Sequence, residues 1–178
     1  MTKMLEELKK RIPLDWTIML VGWQGVGSNR SLVTPSDIAQ FAQERLENRH
    51  EDNLDIIELA TADAGADDIG ARLSHLASLD RADHEAAKRK WIAVLLNEKL
   101  QSLPNDPLYG LLELTEFWAD LGFPSYSPHQ VQGKGNTISP QDYYTETNFR
   151  KVVDENKNWI YTECPCPQPR RDQVSGEP

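Results

Sequence analysis

The sequence lacks any apolar run long enough to cross a bilayer, since nowhere do about eighteen apolar residues follow one another. The first seven residues include charged side chains where a signal peptide would need an apolar stretch. The charged fraction of 26% and the mean hydropathy of -0.59 are typical of a soluble globular chain. We therefore expect a cytoplasmic protein without membrane contact.

Cysteine is nearly absent as well. The two cysteines, Cys164 and Cys166, lie one residue apart in a proline-rich tail. Two thiols in this arrangement provide neither a disulfide framework nor a four-ligand zinc site. We predict that neither cysteine contributes to the fold. We also predict one helical domain over residues 1–162, followed by a disordered tail over residues 163–178.

Catalytic and metal-binding motifs are missing too. No histidine pair has metal-ligand spacing, no Gly-x-Ser-x-Gly motif occurs, and adjacent carboxylates on a helix point to different faces. The glycine-rich stretch 22–30 lacks the Gly-Lys-Ser/Thr ending of a phosphate-binding loop and is predicted to be a turn. Among the histidines, His129 falls in a predicted loop and is the freest to act. We predict no enzymatic activity, no cofactor and no metal.

Positive charge is in short supply, with 19 Lys and Arg against 28 Asp and Glu and a net charge of -9. Phosphate binding needs a basic face, so this balance argues against nucleic acid as the direct ligand. A basic partner is favoured instead. The alternative is that the acidity only maintains solubility.

What the sequence does contain is helical periodicity. Capping residues and apolar spacing predict an all-α fold, an irregular bundle or a short stack of about six to seven helices. Trp91 is expected in the core of a central helix that begins at Asp80. The predicted helical ranges are 2–12, 14–23 (which also suits a strand), from 34 onward, 54–61, 67–79, 80–103, 106–122 and 139–162.

The predicted helix over residues 106–122 carries a continuous apolar stripe. Proline follows Asp106 at the first helical position, and Gly122 ends the pattern. The stripe consists of Leu108, Leu111, Leu112, Thr115, Trp118 and Ala119.

One segment departs from the charge balance of the rest. Residues 44–68 carry nine acidic side chains and two basic ones, a net charge of -7. Such density of like charge destabilises a compact state, but it speeds the capture of an oppositely charged partner. We interpret the segment as a partner-binding surface, and the alternative is an ordinary hydrated helical surface. The acids are Glu44, Glu47, Glu51, Asp52, Asp55, Glu58, Asp63, Asp67 and Asp68, and the bases are Arg45 and Arg49.

Several short motifs occupy packing and helix-ending positions across most of residues 10–162. They are Leu14-Asp15-Trp16 before Gly22, Asp37-Ile38, Lys90-Trp91, Asp120-Leu121-Gly122-Phe123-Pro124 and the run from Phe149 to Trp159. Together they resemble the bacterial family called domain of unknown function 2247. Because these are packing positions, the resemblance implies a shared helical fold and transfers no catalytic residue.

Members of that family are often encoded beside toxins of contact-dependent inhibition or polymorphic toxin systems, so the resemblance implies an immunity protein. Such a protein would bind one basic toxin, expected to be a nuclease, as a monomer. The alternatives are a helical adaptor or regulatory protein that binds another cytosolic protein, and an enzyme whose site is assembled from remote residues. The predicted contact residues are Glu44, Glu47, Glu51, Asp52, Asp55, Glu58, Asp67 and Asp68, with Trp23 and Tyr126 as aromatic anchors unless these two are core residues.

Overall fold

The computed structural model describes residues 1–49, 53–61 and 66–165, except for the side chains of Arg49, Ala66 and Asp67. Helices account for 68% of the residues, and no strand occurs in the described ranges, which confirms the predicted all-α class. The helices in these ranges are α1 (Lys3–Arg11), α2 (Trp16–Gln24), α3 (Pro35–Arg49), α4 (Leu54–Ala60), α5 (Ala66–Asp80), α6 (His84–Gln101), α7 (Pro107–Asp120), α8 (Pro140–Tyr143) and α9 (Glu146–Glu163).

Helix α2 lies at the centre of the fold. Every residue from Trp16 to Gly22 is buried, and α5 and α6 both pack on the helix. The helix begins where the Asp15 side chain accepts a hydrogen bond of 2.8 Å from the Ile18 N–H. The cap and the burial on all sides explain why this apolar segment, whose composition also suits a strand, is a helix.

The contact between α2 and α6 is close because Gly22 has no side chain. A Cβ at this position would lie 2.7 Å from Cζ2 of Trp91 and 3.0 Å from Cγ1 of Val33. Trp91 is fully buried, as predicted, and its Nε1 donates a hydrogen bond of 2.8 Å to the Ile18 carbonyl. Burial of a tryptophan stabilises a fold fully only when the indole N–H has an acceptor, and this one does.

The remaining helices extend this centre in two directions. On one side α5 also packs on α4, and α4 packs on α3. On the other side α6 packs on α1 and α9, and α9 packs on α7 and α8. In the contact between α7 and α9, Trp118 Nε1 donates a hydrogen bond of 2.9 Å to Asn156 Oδ1, and both residues are buried. Helices α3 and α4 therefore connect to the centre through α5, whereas α7 and α8 connect to it through α9.

One predicted helix start is wrong, and one predicted helix is divided into two. Asp80 ends α5 rather than capping α6, and its carboxylate accepts a hydrogen bond of 2.8 Å from the Trp16 N–H. Asp83 caps α6 instead, by accepting from the N–H groups of residues 85 and 86. The helix predicted from residue 139 is divided into α8 and α9, because Thr145 provides a second N-cap. This division contributes to a helix count above the six or seven expected.

The expectation that the cysteines contribute nothing to the fold is wrong for Cys164. Its side chain is fully buried directly after α9 ends, and burial raises the pKa of the thiol to about 11. Cys166 and the rest of the tail lie outside the described residues. The division between domain and tail stays a prediction.

Candidate partner-binding surface

Helices α3, α4 and α5, which pack in series, carry four of the predicted contact residues. Gln43 Nε2 donates a hydrogen bond of 3.0 Å to the Ala60 carbonyl, which ties α3 to α4. Glu47 follows one turn after Gln43 on the same face of α3 and is exposed. The other three are Asp55 and Glu58 of α4 and Asp68 of α5. We call these four residues the acidic surface.

A cleft of about 330 Å³ opens within the acidic surface. Asp55 and Asp68 line it together with Ala71, Arg72 and His75 of α5. Arg72 donates a hydrogen bond of 2.7 Å to Asp55 and forms a second ion pair with Glu58. The cleft therefore combines carboxylates with a guanidinium and an imidazole, rather than carboxylates alone.

The Arg72 guanidinium partly neutralises the negative charge of the surface. His75 Nδ1 lies 2.6 Å from Asp55 Oδ2, and its hydrogen bond, together with that from Arg72, holds the pKa of Asp55 below its usual value. Both bases come from α5, beyond the segment in which the sequence places a net charge of -7. Glu47 and Asp68 have no ion-pair partner within the part of the chain that the structure describes.

Glu44 does not belong to the acidic surface. Its carboxylate faces α1, where Lys9 Nζ lies 2.6 Å away. The neighbouring Arg45 is buried, with its guanidinium 5.8 Å from the ring centre of Trp16. Of the other predicted contact residues, Glu51, Asp52 and the side chain of Asp67 lie outside the described residues.

The two predicted aromatic anchors pack on different helices. Trp23 is half-buried at the end of α2 and faces Gly70 of α5, where a Cβ would lie 3.4 Å from the indole nitrogen. Tyr126 follows α7 and stacks on Trp159 of α9, with ring centres 6.0 Å apart. Arg89 lies 5.7 Å from the same tyrosine ring, and burial raises the pKa of the Tyr126 hydroxyl. Both aromatics take part in internal packing, and only Trp23 contacts a helix that contributes to the acidic surface.

The sequence predicts that His129 is free to act because it falls in a loop, but the structure contradicts this prediction. The side chain is buried, and its Nε2 lies 2.8 Å from Thr115 Oγ1 of α7. That hydroxyl also donates a hydrogen bond to the Leu111 carbonyl, so it accepts from the imidazole. Burial lowers the pKa of His129 to about 4. His129 therefore attaches the segment after α7 to the inner side of that helix.

The glycine-rich stretch forms a tight turn closed by backbone hydrogen bonds between Val26 and Asn29. The Ser28 N–H donates a hydrogen bond of 2.8 Å to Asp120 Oδ2. A carboxylate thus occupies the donor that a phosphate would need, and its negative charge repels an anion.

The described ranges contain neither a metal cluster nor a membrane-spanning helix. No three His, Cys, Asp or Glu side chains there lie close enough to hold a metal ion. None of the helices in those ranges has the length and apolar character required to span a membrane.

Sequence reasoning missed a second surface, on α7. The stripe predicted there divides between two sides of the helix. Leu111 and Trp118 are buried against the rest of the protein, together with Leu114. Leu108, Leu112 and Ala119 are exposed, and Tyr109 beside them is 61% exposed. A helix that buries only part of an apolar stripe leaves an apolar face to solvent.

Comparison with protein families gives one result. The model of a bacterial family described as "Uncharacterized protein conserved in bacteria (DUF2247)" matches residues 5–164. The curated proteins and the solved structures give no match.

Proposed function

Because the chain belongs to the bacterial family DUF2247, we propose that it is an immunity protein that binds and neutralises a cognate bacterial toxin. The toxin is a basic protein, a nuclease of a contact-dependent inhibition or polymorphic toxin system. One monomer binds one toxin in the cytoplasm and protects the producing cell. The proposal extends what the resemblance to the family implies, and inhibition by binding requires no catalytic residue.

The observation that supports the proposal is the acidic surface. Glu47 and Asp68 are exposed, and neither has an ion-pair partner among the described residues. Asp55 and Glu58 are both held by Arg72, so their positions are fixed before a partner arrives. Side chains that are already ordered lose less conformational entropy on binding.

A nuclease that acts on nucleic acid needs a basic groove for the phosphates. An acidic helical surface is complementary to such a groove. Long-range attraction between the two speeds association, and close contact then covers the groove. The same surface would not bind nucleic acid, which carries charge of the same sign.

The test is co-expression with the C-terminal region of a large secreted protein encoded by a neighbouring gene. We expect cells to die when they express that region alone, and to survive when this protein is present and co-purifies with it. Survival of cells without this protein, or death despite its presence, would refute the immunity function. Co-purification with another cytosolic protein, without protection, would favour the adaptor function instead.

A variant pair tests the acidic surface in the same assay. The Glu47→Gln, Asp68→Asn variant lacks two exposed negative charges, and we expect it to protect the cells less well. The control variant, Asp154→Asn with Glu155→Gln, removes the same charges from α9, which packs on α6, α7 and α8. Equal protection by both variants would exclude the acidic surface from the contact.

A further inference from the structure

The outer side of α7 is the largest group of exposed apolar side chains within one helix of the described chain. Leu108, Tyr109 and Leu112 are 41%, 61% and 39% exposed. Leu108, Leu112 and Ala119 follow one another along one side of the helix, over about 16 Å at 1.5 Å per residue. We call Leu108, Tyr109, Leu112, Glu116 and Ala119 the α7 outer face.

The charges of α7 are all of one sign. From Asp106 to Asp120 the sequence contains four acidic residues and no lysine, arginine or histidine. Lys99 of α6 pairs with Glu113 at 2.6 Å. Glu116 is exposed on the outer face and has no ion-pair partner in the described ranges. The apolar stripe is therefore bordered by negative charge.

We propose that the α7 outer face is a docking site for a second protein, whose contact surface is a basic amphipathic helix. Apolar side chains of that helix would cover Leu108, Leu112 and Tyr109, and its lysines or arginines would lie beside Glu116. The stripe is about three helical turns long, which is the length over which two packed helices contact each other. This site goes beyond toxin neutralisation and lies on a different helix, since α7 packs on α9 whereas the acidic surface is on α3, α4 and α5.

Charge determines which occupant fits the face. A second copy of this chain would bring Glu116 and Asp120 against the same residues, and the net charge of -9 on each copy opposes the contact. Nucleic acids and anionic membrane surfaces are repelled for the same reason. A basic protein surface is attracted, and its apolar residues gain about 25 cal/mol for each Å² of apolar surface buried.

A designed probe tests the docking site. The full chain is titrated with a 14-residue helical peptide of about seven leucines on one face and about seven lysines on the other, a length of about four turns, while ¹⁵N amide shifts are recorded. We expect the largest shifts at residues 107–120. A peptide with glutamate in place of lysine should not bind, and equal binding of that peptide would overturn the charge argument.

Two matched variants test whether the peptide binds to the α7 outer face. Leu108→Ala with Leu112→Ala and Glu116→Gln should weaken binding about tenfold, which corresponds to about 1.4 kcal/mol. Leu54→Ala with Leu79→Ala and Glu6→Gln removes similar exposed side chains from α4, α5 and α1, outside both named surfaces, and should change affinity less than about twofold. Helical circular dichroism and thermal unfolding establish that both variants are folded.

Three results would overturn the inference. The first is a set of shifts concentrated on the acidic surface. The second is an equal loss of affinity in the two variants. The third is dimerisation of the wild-type chain, in sedimentation velocity, that the Leu108→Ala, Leu112→Ala variant abolishes, since the face would then belong to a second copy.

Discussion

The acidic surface and the α7 outer face are both negative and both exposed, yet they are built differently. In the acidic surface, Arg72 and His75 from α5 approach the carboxylate of Asp55, while Glu47 and Asp68 have no ion-pair partner in the described ranges. On α7, Lys99 pairs with Glu113, while Glu116 stands beside exposed leucines. The acidic surface lies in a highly charged segment of the sequence, but neighbouring side chains in the fold partly neutralise it. The α7 outer face carries less charge and has an apolar centre.

This difference separates two roles that charge has in binding. Long-range charge mainly raises the association rate, whereas buried apolar anchors slow dissociation. The acidic surface suits fast capture of a basic partner. The α7 outer face suits a longer contact in which a smaller charge fixes orientation.

The largest expected effect compares the two sides of α7. Leu114→Ala removes a fully buried side chain and should lower the free energy of unfolding by about 2–5 kcal/mol. Leu112→Ala, on the outer face, should lower it by less than about 1 kcal/mol. Urea denaturation measures both values. Similar losses in the two variants would mean that Leu112 is covered in solution.

A second effect distinguishes the α7 side from the acidic surface by pH. The folded pKa of His129 is about 4, against the usual 6.5. Between these values the unfolded chain binds a proton that the folded chain does not. The free energy of unfolding should therefore fall as the pH decreases from 6.5 to 4, by roughly 3 kcal/mol in total.

Asp55 acts in a different pH window. Its pKa lies below the usual 3.8, so its contribution to stability is present above pH 3.8 and is lost as the pH falls further.

The His129 prediction is measured by denaturation of the His129→Gln variant at a series of pH values. We expect the free energy of unfolding of the variant to depend less steeply on pH between 6.5 and 4 than that of the wild type. An unchanged slope would contradict the assignment of this pH dependence to His129.

A third, smaller effect concerns compensation within the acidic surface. Arg72→Ala leaves Asp55 and Glu58 without their shared cation and should lower the free energy of unfolding by about 1–3 kcal/mol. Glu116→Gln on α7 removes an acid that has no such partner in the described ranges, and should change stability by less than about 0.5 kcal/mol. Thermal unfolding of both variants gives the comparison. Equal effects would remove the distinction between compensated and uncompensated acids.

A fourth effect, also small, concerns the ion pair of Lys9 and Glu44. Both side chains are about a third or more exposed, so Lys9→Ala should lower the free energy of unfolding by less than about 1 kcal/mol. The difference from wild type should shrink further in about 0.5 M NaCl, because salt screens exposed pairs. A larger, salt-independent loss would show that the pair stabilises the contact between α1 and α3 in another way.

The starts of α3 and α7 were predictable from local sequence. Thr34 and Asp106 each precede a proline, and Pro35 and Pro107 are the first residues of these helices. The start of α6 was not, because Asp80 and Asp83 both have capping side chains. Arg81 between them adopts a positive φ of 52°, which ends one helix before the next begins. Whether Asp80 or Asp83 caps α6 depends on the tertiary contacts of Asp80, and the local sequence does not show these contacts.

The charge of a surface was harder to predict than the fold. Lys9 and Arg72, which neutralise Glu44 and Asp55, lie 35 and 17 residues away from them in the chain. A sum over neighbouring residues omits such partners. The division of the α7 stripe was equally hidden, because helical spacing places Leu111 and Leu112 on one broad face and does not state how much of it is covered.

The association rate of the purified protein with its toxin domain, measured by stopped flow at increasing NaCl, tests the central claim most directly. We expect an association rate that falls about tenfold or more between about 10 mM and 500 mM NaCl. The Glu47→Gln, Asp68→Asn variant should associate more slowly at low salt, while the Asp154→Asn, Glu155→Gln control keeps the wild-type rate. A rate that depends on neither salt nor the acidic surface would contradict capture by charge.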